Sequence, residues 1–102
     1  LSLNEIFYAT CRVSVPGSMG SGTVVHKDDT YIYVLTNAHV VGGNRSGTVE
    51  FFPGGRKTNK IPARVIFRAY QSRTDVDFAV MQINKSDLNG FTPIVIPFAP
   101  II

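Results

Sequence analysis

Two segments of the sequence carry side chains that could take part in proton transfer. His39 follows a run of strand-forming residues, and Asp77 directly precedes the apolar run Phe78-Ala79-Val80. A histidine that accepts a proton and a carboxylate that orients it are two of the three groups that activate a serine hydroxyl as a nucleophile. A histidine in an apolar run is more often a core residue, however, and most loop aspartates cap turns. Residue type alone does not decide between a proton-transfer pair and an ordinary core histidine with a turn-capping aspartate.

Two other side chains compete for these roles. Asp75 precedes Asp77 by two residues and could cap the same loop or contact an imidazole. His26 lies beside the polar turn formed by residues 27–30 and has no motif around it, which is typical of an exposed histidine. His39 and Asp77 are far apart in sequence, so only a fold that brings two strand ends together can pair them.

Short runs of strand-forming residues, separated by Gly and Pro, fill the sequence. Residues 6–15 alternate with a period of two, which predicts a half-buried strand. The sequence shows no helical period of useful length and no internal repeat, and turns at regular spacing favour a closed barrel or a sandwich. The predicted strands cover residues 6–15, 20–25, 31–35, 47–52, 61–69 and 78–83.

The same alternation predicts which side chains form the core. Cys11 falls on the apolar face of the first strand, where a small buried thiol is expected. Phe7 and Phe67 fall on the predicted core faces of the first and fifth strands. The run 78–83 is almost continuously apolar, which predicts a strand buried on both faces with Phe78 inside.

Composition and charge narrow the class of protein. The chain has 102 residues, 44% of them hydrophobic and 17% charged, which suits one folded domain and excludes a disordered segment. The net charge is +3, but Lys and Arg are scattered, so a mildly basic surface is favoured over a nucleic-acid site. A lone cysteine excludes an intrachain disulfide. There is no signal peptide and no apolar stretch of membrane-spanning length. Because the sequence starts at Leu1 without Met, we expect that upstream sequence, with any export signal, was removed or left out.

In order along the chain, three segments resemble the trypsin-like (chymotrypsin-fold) serine proteases, most closely their bacterial heat-shock branch. They are Gly20-Ser21-Gly22, Leu35-Thr36-Asn37-Ala38-His39-Val40-Val41 and Asp77-Phe78-Ala79-Val80. The histidine segment is the most specific of the three and the glycines are the least. The resemblance implies an all-β fold, a single six-stranded Greek-key barrel over residues 1–102 that forms the N-terminal half of a two-barrel peptidase domain.

The resemblance also implies roles for the two candidate residues. His39 matches the general base, and Asp77 matches the carboxylate that orients it, because the family's aspartate stands immediately before a hydrophobic-Ala pair. That position selects Asp77 over Asp75. The substrate would be a polypeptide, with no cofactor, no metal, no nucleic acid and no membrane involved. A secreted or periplasmic protein would suit the family, although the sequence leaves the location unknown.

The nucleophile is missing from this sequence. In the family a serine in a Gly-x-Ser-Gly context follows the aspartate, but the only serine after Asp77 is Ser86, in a turn-like segment. Cys11 lies on the first strand, whereas the thiol of cysteine-nucleophile relatives belongs to the second half. We therefore expect the nucleophile, oxyanion hole and specificity pocket to come from a second barrel outside this chain, and the chain alone to hydrolyse nothing.

If the second barrel is absent from this chain, the face where the two barrels pack should be an exposed apolar surface, covered by self-association or by a partner. Two alternatives to the protease interpretation stay open. One is a catalytically inactive relative that serves as a binding or structural module, against which the intact pair of His39 and Asp77 speaks. The other is an unrelated small β-barrel that binds nucleic acid through exposed aromatic rings, which the expected core positions of Phe7, Phe67 and Phe78 disfavour.

Overall fold

The structure, a computed structural model, describes residues 8–52 and 56–96. The strands are β1 (Thr10–Val15), β2 (Ser18–Lys27), β3 (Tyr31–Thr36), β4 (Ser46–Phe51), β5 (Ile61–Gln71) and β6 (Val76–Asn84). A one-turn helix, α1 (Ala38–Val41), follows β3, and a 3-10 helix (Lys85–Leu88) follows β6. Within these ranges no helix is long and apolar enough to cross a membrane.

The six strands close into one antiparallel barrel. Around the barrel they run in the order β1-β2-β3-β6-β5-β4, and β4 pairs with β1 to complete the circle. The fourth strand thus returns to lie beside the first, which is the arrangement of a Greek key. Closure leaves no free sheet edge. The expectation of an all-β, six-stranded barrel is confirmed.

One set of alternating side chains fills the barrel. In β1 and β3 every second residue is buried, as the period of two predicts. Cys11 is 2% exposed, and burial raises the pKa of its thiol to about 12, so it stays protonated and packs as a small apolar group. The largest fully buried side chains include Phe51, Ile32, Met81, Ile83 and several valines.

Strand β6 differs from its prediction in two ways. It begins at Val76, so that Asp77 lies inside the strand and not directly before it. It is also not buried on both faces: Ala79 and Met81 point into the core, whereas Phe78 is 39% exposed. A strand in a closed single-layer barrel has one face toward the interior and one toward the outside, so a continuous apolar run leaves apolar side chains on the outer face.

Phe67 is likewise on the outside of the barrel, with 50% of its surface exposed. The pairing of β5 with β6 shifts register between Val65 and Phe67, so that Ile66 is an extra residue in β5. Such a β-bulge moves every later side chain to the opposite face. The prediction that Phe67 and Phe78 lie in the core is therefore wrong, and Phe7 lies outside the described residues.

Candidate active site

His39 lies on helix α1, at one end of the barrel. Strand β3 ends at Thr36, whose hydroxyl donates a hydrogen bond of 2.8 Å to the backbone oxygen of Ser21 on β2. The helix then crosses the barrel end and buries Ala38, Val40 and Val41. Three apolar side chains in a four-residue turn leave one position facing outward, and His39 occupies it with 64% of its side chain exposed.

Two glycines fit the helix into this place. A Cβ on Gly20 would lie 2.6 Å from Cγ2 of Val40, so β2 and α1 can approach as they do only because Gly20 has no side chain. Gly42 ends the helix with a φ of 55° and donates its N–H to the backbone oxygen of Ala38 at 2.9 Å. The Gly-Ser-Gly segment therefore helps to fix the position of the histidine, although it lies far from it in sequence.

Asp77 reaches the helix from the start of β6. Its Oδ1 accepts the backbone N–H of His39 at 2.9 Å, and its Oδ2 is hydrogen-bonded to Nδ1 of the His39 imidazole. The hydrogen bond with the imidazole is the main cause that lowers the pKa of Asp77 below its ordinary value, and the backbone N–H of His39 acts in the same direction. The carboxylate is therefore ionised at neutral pH, with 26% of the side chain exposed.

This arrangement leaves the imidazole ready for proton transfer. With Nδ1 held by the carboxylate, the proton of a neutral imidazole lies on Nδ1 and Nε2 is the free acceptor. Across residues 8–52 and 56–96 no side chain or backbone group bonds to Nε2. An oriented imidazole with an open Nε2 can take a proton from a hydroxyl presented from outside this chain.

The competing side chains lie elsewhere. Asp75 is exposed in the β5–β6 turn with a φ of 56°, a left-handed conformation that Asp tolerates better than most residues. His26 is exposed on β2, and its ring centroid lies 5.5 Å from that of Tyr33. Ser86 donates to Oδ1 of Asn84 in the turn after β6, at the opposite end of that strand from Asp77. The structure thus pairs His39 with Asp77 and with none of these three side chains.

One contact at this site is missing from the sequence-based prediction. The side-chain amide of Asn37 donates to the backbone oxygen of Asp77 at 3.0 Å. A polar residue placed between the end of a strand and the first turn of a helix was the only available signal. In the described part of the chain, no group of three His, Cys, Asp or Glu side chains is arranged to hold a metal ion.

Comparisons with known proteins find one family model and solved structures with a similar fold. The trypsin-like peptidase domain family matches residues 20–100. Two crystal structures of the Rv3671c protease, each an inactive form, share the fold. The first superposes with a TM-score of 0.63 at 24% identity, over 92% of this chain and 39% of that one. The second, an M. tuberculosis H37Rv serine-to-alanine variant, gives 0.55 at 24% identity, over 92% and 37%. The chain therefore spans about two-fifths of the length of these proteases, and no curated protein sequence matches it.

Proposed function

The chain belongs to the trypsin-like peptidase family, and we propose that it is the N-terminal barrel of a serine endopeptidase in which His39 is the general base and Asp77 orients it. One observation carries the proposal: a single carboxylate binds both the backbone N–H and Nδ1 of the same histidine. A residue that merely capped the helix would need only the first of these bonds. The bond to Nδ1 also fixes the orientation of the imidazole ring, which a general base requires.

The reaction follows from the positions of the protons. A serine hydroxyl from a second barrel would give its proton to Nε2 of His39 while its oxygen attacks the carbonyl carbon of the scissile peptide bond. The imidazolium that forms is stabilised by the adjacent carboxylate of Asp77, which keeps its negative charge throughout. The same Nε2 proton then passes to the leaving amine, and the neutral imidazole activates a water molecule in the second half of the reaction.

We expect the chain alone to show no peptidase activity, because its sequence contains a proton acceptor and its orienting carboxylate but no serine in a Gly-x-Ser-Gly context. The measurement is hydrolysis of a casein substrate and labelling by a fluorophosphonate probe, which reacts with activated serines. The matched sample is a longer polypeptide of the same protein that continues into a barrel with a Gly-x-Ser-Gly segment, and it should hydrolyse and label. Hydrolysis by the chain alone that disappears in His39→Ala would contradict the proposal.

We propose that an apolar patch on the outer face of this barrel packs against the second barrel. We call it the outer patch; its members are Leu35, Ile66, Phe67, Phe78 and Val80. Leu35 on β3, Val80 on β6 and Phe67 on β5 lie side by side in register, and the rings of Phe67 and Phe78 stack with centroids 5.4 Å apart.

The outer patch also adjoins the proposed catalytic pair. Phe78 follows Asp77, and a cleft of about 330 Å³ is lined by both of them together with Leu35 and Asn37. A barrel that delivers a serine to His39 has to pack beside Asp77, and the outer patch lies there. The two rings stack on each other with no cationic side chain over either of them in the described ranges, which suits burial against protein better than stacking with bases.

Without the second barrel, we expect the outer patch to drive self-association of the chain. Sedimentation velocity over a range of concentrations should show a reversible shift to larger species. Replacing both rings, Phe67→Ser with Phe78→Ser, should weaken the association by about 10-fold or more, because buried aromatic side chains dominate such interfaces. The control is Met19→Ser, which removes an apolar side chain that is 65% exposed outside the outer patch. A wild-type chain that stays monomeric at every concentration would contradict the expectation.

A further inference from the structure

We propose that Asn37 is a positioning residue for the catalytic pair: its side-chain amide holds the backbone of Asp77 in place, so that both oxygens of the Asp77 carboxylate meet His39. The inference rests on the proposed function of His39 and Asp77. It goes beyond that function because it assigns a role to a residue outside the pair, whose side chain binds the backbone of Asp77.

The first observation is the place where the β3–β6 ladder stops. The last paired residues are Thr36 and Ala79. Beyond them the chain leaves the sheet to form α1, so the backbone of β3 no longer offers a donor to the next carbonyl of β6. Nδ2 of Asn37 supplies that donor, at 3.0 Å from the backbone oxygen of Asp77. A side-chain amide thus extends the ladder by one bond where the main chain cannot.

The second observation is an exchange of partners at the start of the helix. Asn37 is the N-cap residue of α1, with an extended backbone (φ −87°, ψ 143°), but its side chain accepts no bond from the first turn. An asparagine at this position normally accepts the N–H of the second or third helical residue. Here Oδ1 of Asp77 accepts the N–H of His39, the second residue, at 2.9 Å. Asp77 caps the helix, and Asn37 binds the backbone of Asp77 in return.

The consequence is that Asn37 and His39 make three hydrogen bonds to Asp77, and the backbone N–H of Ala38 also acts on the Asp77 carboxylate. Two of them run from His39 to the carboxylate, and the third runs from Asn37 to the backbone of the same aspartate. Without the bond from Asn37, the hydrogen bonds between the start of β6 and α1 would all run through the rotatable Asp77 side chain. The carboxylate could then drift relative to Nδ1. Asn37 is exposed, so its removal should disturb the pairing far more than the folding of the barrel.

The test uses two substitutions at this position and one control. Asn37→Ala deletes the amide, and Asn37→Asp keeps the size of the side chain but replaces the donor with an acceptor. Asn59→Ala is the matched control, because Asn59 is also exposed and its side chain makes no bond to α1 or β6. Circular dichroism should show the same folded barrel in all of them, with small changes in melting temperature.

Two measurements separate positioning from a structural role. In this chain, carbon-detected NMR should find the pKa of Asp77 closer to its ordinary value in Asn37→Ala than in the wild type, and unchanged in Asn59→Ala. In the longer, active polypeptide, kcat should fall by about 10-fold to 100-fold with KM nearly unchanged, the cost expected for a catalytic group displaced by about 1 Å. An unchanged pKa of Asp77 together with an unchanged kcat would overturn the inference.

The outcome for Asn37 is distinguishable from a failure of the proposed function. If His39→Ala leaves the longer polypeptide active, the proposed catalytic role is wrong whatever Asn37 does. If His39→Ala abolishes activity but neither Asn37 variant changes kcat, the catalytic role stands and the positioning role is wrong. A lower melting temperature in Asn37→Ala, with an unchanged kcat, would likewise make Asn37 a structural residue only.

Discussion

Replacing His39 with alanine is expected to lower kcat/KM for peptide hydrolysis by about 10⁴-fold or more in the polypeptide that carries both barrels. The loss is large because the imidazole does two jobs in sequence, accepting the proton of the serine and returning it to the leaving amine. The exposed position of His39 on α1 means that the variant should still fold. Initial rates on a peptide substrate, with fluorophosphonate labelling of the serine, provide the measurement.

His26→Ala is the matched control for this experiment. His26 is exposed on β2 and lies against Tyr33, and no carboxylate among the described residues is hydrogen-bonded to its ring, so its removal should leave kcat/KM within about twofold of the wild type. If His39→Ala and His26→Ala behaved alike, His39 would not be the general base. The barrel would then be better explained as a catalytically inactive relative that serves as a binding module.

The sequence was sufficient to select two side chains that the structure joins by a hydrogen bond, because the motif around each of them is local, and their catalytic role stays a proposal. The segment around His39 and the segment around Asp77 each carry a recognisable order of residues, and the structure brings those two side chains together. Alternation was also sufficient for β1 and β3, which are half-buried strands with one face in the core. In both cases the information lies within a few neighbouring residues.

The missed features depend on pairing between distant segments. The register shift at Ile66 is a property of β5 against β6, and no pattern within 61–69 marks it, so Phe67 was assigned to the wrong face. Helix α1 is a single turn, too short for a 3.6-residue period to be visible. The bond from Asn37 to Asp77 likewise joins residues that only the closed barrel brings together.

The outward positions of Phe67 and Phe78 bear on the proposed function. Phe67 and Phe78 were predicted to lie in the core, but they face outward and belong to the outer patch, which adjoins Asp77. We propose this outer patch as the apolar face against which a second barrel packs, because it adjoins Asp77. The bulge in β5 accounts for the outward position of Phe67, whereas Phe78 lies outside because β6 has one face toward the interior of the barrel and one toward the outside.

Asp77→Asn should lower kcat by about 10⁴-fold while leaving the barrel folded. The asparagine oxygen can still accept the backbone N–H of His39, so α1 keeps its cap. Its amide nitrogen, however, would face Nδ1 of the imidazole and donate to it. The proton of the neutral imidazole would then move to Nε2, and the atom that must accept the proton of the serine would already carry one. Steady-state kinetics of the two-barrel polypeptide give kcat, and proton NMR of His39 in this chain reports the tautomer directly.

Asp77→Ala and Asp75→Asn complete the comparison. Asp77→Ala removes the cap as well as the orienting group, so it should lower the melting temperature as well as kcat.

The wild-type carboxylate, whose pKa is lowered in the folded state, stabilises the fold above the ordinary carboxyl pKa and loses that effect as the pH falls through the lowered value. The acid unfolding of Asp77→Asn should lack this part of the pH dependence.

Asp75→Asn should change neither the tautomer of His39 nor kcat, because Asp75 lies in the exposed β5–β6 turn. If Asp75→Asn lost as much activity as Asp77→Asn, the imidazole would be oriented by the turn and not by the carboxylate on β6.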